Sequence, residues 1–183
     1  QLRRRNEEPC KIKRFRNPHC KISKRIWGSM KARLERLFQN VPKNVDAIFI
    51  MNGTEPILDN TFFYLLGVGG GLFENSYIVA RRDAGAVIYT SKLEETSARM
   101  GPWPVEVFGS RSELANLMEE SVKGCSAIGI NPPELNHRAY TMLVKYASNA
   151  NIVDISEGIK ESRLIKDEVE ICLLYTSPSP RDR

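Results

Sequence analysis

The chain has 183 residues, a formal net charge of +5, 42% hydrophobic and 27% charged side chains. That is enough chain for one domain of ordinary size with a real core. The basic excess is not spread evenly. Residues 1–29 carry 10 Lys or Arg against 2 acidic side chains, while residues 30–171 carry 15 basic and 19 acidic ones. The body is therefore mildly acidic, which removes the electrostatic case for nucleic acid or an anionic membrane as partner.

The first stretch, QLRRRNEEPCKIKRFRNPHCKISKRIWGS, has no start Met and no apolar period. We read residues 1–29 as a translated leader without folded structure, with Met30 as initiator. The rival reading is a basic arm for nucleic acid or a membrane surface. His19 stands beside Cys10 and Cys20, but the spacing makes no CxxC pair and no second half follows, so no zinc site is expected. Cys125 is the lone cysteine of the body and reads as a small buried hydrophobe. With no disulfide framework, signal peptide or long apolar run, the expected compartment is a reducing cytoplasm.

Along the body, MKARLERLFQN places Leu34, Leu37 and Phe38 at helical spacing and ends before Pro42. DAIFIMNG is a short apolar run suited to a strand buried on both faces. TFFYLLG, NSYIVARRD and GAVIYTS are β-prone runs, the first two separated by Gly67, Gly69, Gly70 and Gly71, the last two by the tight RRDAG turn. They predict a meander of antiparallel strands. Three helix-then-strand units follow. KLEETSARM leads to PVEVFG. SRSELANLMEESV, capped by Ser110 or Ser112, leads to SAIGIN. PPELNHRAYTMLVKYAS, with prolines suited to a first helical turn, leads to NIVDIS. A meander followed by such units predicts an α/β fold, a mixed β-sheet with helices on both faces.

The chemical motifs are sparse. GVGGG has Leu72 where GxGxxG needs glycine, and no Lys-Ser/Thr follows, so a hairpin turn is expected there. His137 is the only histidine of the body and opens a helix, without the second ligand that a metal needs. Asp46, Glu55 and Asp59 fall on strand ends and loops, not in an acid–base pair, and no nucleophile elbow is present. Catalytic and metal-ligating residues: none.

DAIFIMNGTEPILDNTFFYLLG, FENSYIVARRDAGAVIYTS and SRLIKDEVEI together resemble the N-terminal domain of the creatinase/aminopeptidase P/prolidase family, closest to prokaryotic Xaa-Pro peptidases. The FYLLG stretch, Phe63 to Gly67, matches a strand motif of that family. Arg163 to Lys166, followed by Glu170-Ile171, matches the R-x-I-K junction that opens the catalytic domain's first helix. Asp167 stands where the family has Ser, and Leu66 where it often has Thr. The resemblance implies a ribonuclease H-like arrangement over residues 30–161, with 162–171 starting a missing catalytic domain of pita-bread fold. That domain would hold two divalent metals, of manganese or cobalt type, on two Asp, one His and two Glu, and activate water against the bond before proline. None of those ligands maps onto this chain, which is expected to be inert and to contain no cofactor.

The resemblance further implies a homodimer, a proline-containing peptide as substrate of the whole enzyme, and an N-terminal domain that covers the active site. Phe62 and Phe63 are the candidates to line that site, with packing in the core as the alternative for either. Other readings in the same family are a creatinase-type hydrolase or a protein-binding module that has lost catalysis; a free-standing domain is a third. Residues 172–183, CLLYTSPSPRDR, match one reading frame of a transposase adapter used in library preparation and are set aside from the fold. The gene would then continue beyond residue 171. The stub would leave Leu164, Ile165, Val169 and Ile171 with little to pack against.

Overall fold

The structure is a computed structural model that describes residues 21–171, apart from positions 57, 69, 83 and 169, with the backbone alone over 21–27. Cys10, His19, Cys20, Val169 and the 172–183 tail, of which expectations are stated above, lie outside the described residues. Six strands form one sheet in the order β4-β3-β2-β1-β5-β6. β1 (Ala47–Met51), β2 (Tyr77–Arg81) and β3 (Gly85–Ser91) are an antiparallel meander. β4 (Val105–Phe108) joins β3 in parallel at one edge. β5 (Ala127–Ile130) and β6 (Asn151–Asp154) continue in parallel from β1 at the other.

Among the described residues, helices cover the faces: α1 (Lys21–Gln39), α2 (Asn60–Leu66), α3 (Glu95–Ala98), α4 (Arg111–Val122), α5 (His137–Tyr146) and α6 (Ser156–Leu164). The pleat of β1 explains their division. Ile48 and Ile50 point to one side, where they pack with Leu37 of α1, Phe62 and Leu65 of α2 and Ile159 of α6. Ala47, Phe49 and Met51 point to the other, against Leu114 and Met118 of α4 and Leu143 of α5. Every residue of β1 is buried, and each large apolar side chain so placed contributes roughly 1.5–3 kcal/mol. The expected mixed sheet with helices on both faces is present, and Cys125 is buried beside α4 and β5.

Several elements differ from expectation. TFFYLLG is a helix, α2, where a strand is expected. Asp59 caps it by accepting from the Thr61 N–H at 2.6 Å, and Gly67 ends it at φ 70°, its N–H donating to the Phe63 carbonyl. Those caps outweigh the β propensity of the aromatic run. β1 therefore takes the place of that run in the meander, and Gly67, Gly70 and Gly71 lie between a helix and a strand, not in a hairpin turn. The 95–98 helix is a single turn. α5 begins at His137, capped by Asn136 on the Ala139 N–H at 2.8 Å, so Pro132 and Pro133 lie in the preceding turn.

Both ends differ as well. α1 starts at Lys21, ahead of Met30, so residues 21–29 are helical where a leader without structure is expected. Lys and Arg are good helix formers, and the Ser29 hydroxyl donates to Asp167 at 2.7 Å, which gives this turn a tertiary partner. At the other end an additional helix, α6, precedes the junction, and the chain turns helical again at 168, 170 and 171, where Asp167 Oδ1 accepts from the Glu170 N–H at 2.9 Å. α6 begins at Ser156 and breaks at Ile165, whose backbone is extended at φ −91°, ψ 116°. Leu164 and Ile165 stand 72% and 75% exposed beyond it, and Ile171 is exposed too.

Candidate functional site

The parallel pairing of β1 with β5 sets their carboxyl ends side by side, the place where open α/β sheets gather ligands and polar groups. β1 runs out into Asn52 and β5 into Asn131, and both side chains are buried. Asn131 Nδ2 donates to Asp59 Oδ2 at 3.2 Å, and the Asp59 N–H donates to Asn52 Oδ1 at 3.0 Å. Glu134, from the β5–α5 loop, accepts from the Asn60 N–H at 2.8 Å. Asp59 and Glu134 thus meet at the start of α2. Burial pushes the Asp59 carboxyl up to about 6; the Thr61 N–H opposes this, and the charge of Glu134 adds to it.

This pairing corrects the reading of Asp59 as a dispersed loop carboxylate. Asp46, by contrast, is a structural brace: it accepts from the Ser126 and Ala127 N–H groups at 2.6 and 3.1 Å, which hold its carboxyl below the usual range. The signal for Asp59 was present in the sequence, since Asp-Asn-Thr before an apolar run is an N-cap pattern. Glu134 carried no such signal.

Of the two phenylalanines, Phe62 is fully buried, its ring 5.6 Å from that of Phe73. Phe63 is half-buried, edge-on to Phe62 at 5.6 Å and to Phe73 at 6.3 Å. Phe62 is a core residue, and Phe63 alone presents ring surface outward. A separate cleft of about 500 Å³ opens over the ends of β5 and β6, between Ile130, Leu135, His137, Tyr140, Ile152 and Asp154. His137 is exposed there. Among the described residues, no three His, Cys, Asp or Glu side chains converge to hold a metal ion. The described residues offer no set that fits the two-metal centre implied by the resemblance, and no reaction step is assigned to them. Among the described residues, no helix is long and apolar enough to cross a membrane.

Where α6 ends, α1 grips the following segment. Arg33, only 6% exposed, donates to Asp167 at 2.5 Å and to the Tyr64 carbonyl at 2.9 Å. Arg36 donates to the Ile165 carbonyl at 2.7 Å, and the Tyr64 hydroxyl to the Ser162 carbonyl at 3.3 Å. Burial works against ionisation of Asp167, but the bonds from Arg33, the Glu170 N–H and Ser29 outweigh it and hold the carboxyl well below its ordinary range.

The family model of the creatinase/prolidase N-terminal domain matches residues 33–165. Among solved structures, the prolidase of Pyrococcus horikoshii OT3 is 24% identical with a TM-score of 0.59, over 76% of this chain and 37% of that one. The X-Pro aminopeptidase of Thermotoga maritima MSB8 is 20% identical with a TM-score of 0.64, over 76% and 37%. The N-terminal domain of the cytoplasmic peptidase PepQ from Mycobacterium tuberculosis H37Rv is 21% identical with a TM-score of 0.57, over 73% of this chain and 99% of that one. This chain thus spans little more than a third of the two longer peptidases and nearly all of the isolated domain. No curated protein matches the sequence. The three likenesses establish the fold, a mixed six-stranded sheet with helices, and the family match covers most of the folded body. The chain belongs to the creatinase/prolidase N-terminal domain family.

Proposed function

We propose that this chain is the non-catalytic N-terminal domain of a longer, cytoplasmic, metal-dependent Xaa-Pro peptidase, and that it supports a homodimer and covers the active site. The carrying observation is the family match over residues 33–165, ending where Leu164 and Ile165 leave α6 with their side chains exposed. A domain that ends there in two adjacent apolar side chains has a natural surface for whatever follows. The Arg33–Asp167 pair would fix the direction in which the chain leaves. In this reading residues 162–171 are the junction, and the manganese- or cobalt-type metals belong wholly to the catalytic domain. Phe63, on the outward side of α2, is the residue of this domain that would wall the peptide site.

The coding DNA that follows codon 171 in the source genome tests the reading. It should encode a pita-bread domain with two Asp, one His and two Glu as metal ligands. A downstream domain without those five ligands would replace the peptidase with a binding module.

A further inference from the structure

We propose that Asp59 and Glu134 form a proton-sharing clasp that holds the β1–α2 loop to the β5–α5 loop, and that loss of the proton loosens α2 and the Phe63 it carries. The geometry comes first. Each carboxyl holds one of the first backbone N–H groups of the same helix, Asp59 that of Thr61 at 2.6 Å and Glu134 that of Asn60 at 2.8 Å. They reach α2 from two loops far apart in sequence, one before β2 and one after β5. Asn131 bridges the two loops a second time through Asp59 Oδ2. Asp59 is 2% exposed, so solvent does little to screen its charge.

The other groups around Asp59 are neutral: Asn52 from the end of β1, Asn131 from the end of β5 and Thr61 from α2. The charged group that faces it is Glu134. Two carboxylates in such a place repel, whereas one carboxylic acid beside one carboxylate makes a hydrogen bond. The proton moves between Asp59 and solvent, and no other bond changes. Burial and the charge of Glu134 raise the Asp59 carboxyl from 3.8 to about 6, which puts the change within reach of mild acid. The clasp is closed below that point and released above it. This device depends on neither a catalytic domain nor peptidase activity.

Amide hydrogen exchange, followed by NMR on the full chain at pH 5 and pH 8 and corrected for intrinsic rates, tests it. The amides of Asn60 and Thr61 should lose about tenfold in protection at pH 8, while those of Ile48 and Ile128 keep theirs. Asp59→Asn and Glu134→Gln each supply an amide donor in place of the shared proton, and Asn keeps the cap. Both variants should show equal protection at the two pH values. Equal protection in the wild type, or a wild-type loss retained in Asp59→Asn, would overturn the clasp. Should Asp59→Asn fold poorly, Glu134→Gln decides by the same readout, because its side chain is only half-buried.

Discussion

Arg33 donates its Nε to Asp167 Oδ2 at 2.5 Å, across 134 positions of sequence. The guanidinium lies over the Tyr64 ring, 4.7 Å from its centroid, and is almost fully buried. A buried cation without a partner is costly, so the pair ties α1, α2 and the segment after α6 into one unit.

Asp167→Asn should therefore cost about 2 kcal/mol at pH 7, since it leaves Arg33 buried with a weaker partner. The pH dependence has a definite sign. A carboxyl held below its unfolded value of 3.8 contributes stability that is full above that value and lost as the pH falls through its folded one. Urea unfolding at pH 7 and pH 3 checks this: the variant should lose less than the wild type on acidification. Asp59, raised to about 6, acts in the opposite direction. Its contribution is full below pH 3.8 and is lost as the pH rises toward 6.

Phe62→Ala and Phe63→Ala should separate sharply. The first empties a fully buried site and should cost about 3–5 kcal/mol. The second removes a half-buried ring and should cost about 1–2 kcal/mol. Chemical denaturation measures both, and equal losses would place Phe63 in the core with its neighbour.

Gly158→Ala should destabilise the contact between α6 and α1. A Cβ there would overlap the Asn40 carbonyl oxygen and lie 3.1 Å from Val41 Cγ1. The gain in helix propensity is at most about 1 kcal/mol, while overpacking against backbone costs about 1–3 kcal/mol. We expect a net loss near 2 kcal/mol at the upper end of that range, read as a lower urea midpoint.

Most of the sheet was legible in the sequence, because apolar runs such as AIFIM and YIVAR, bounded by turn residues, have few alternatives to buried strands. The same rule failed at TFFYLL, where the composition is that of a strand. The deciding residues, Asp59 and Gly67, lie just outside the run and act through caps. After the family-like junction motif the described residues turn helical again at 168, 170 and 171, where Asp167 Oδ1 accepts from the Glu170 N–H at 2.9 Å. The helix that the sequence did not announce is α6, which begins at Ser156, where Asp154 accepts from the Ser156 N–H at 2.8 Å. Adjacent phenylalanines looked equivalent, but successive residues on a helix point in different directions, so Phe62 is fully buried while Phe63 packs against the core with part of its ring exposed. The Asp59–Glu134 pair was not legible at all. No spacing rule joins two residues that meet only because β1 and β5 pair in parallel.

Whether catalysis belongs to a domain that follows this one, as proposed, is tested most directly by proline release from Xaa-Pro dipeptides in the presence of manganese or cobalt. Two proteins should be compared: the present chain and the gene product extended through the coding sequence that follows codon 171. Metal-dependent, chelator-sensitive release is expected from the extended protein and none from the present chain, whose described residues bring no three metal-binding side chains together. Metal-dependent release by a clean preparation of the present chain would contradict it, as would an extended protein that carries all five ligands and releases no proline.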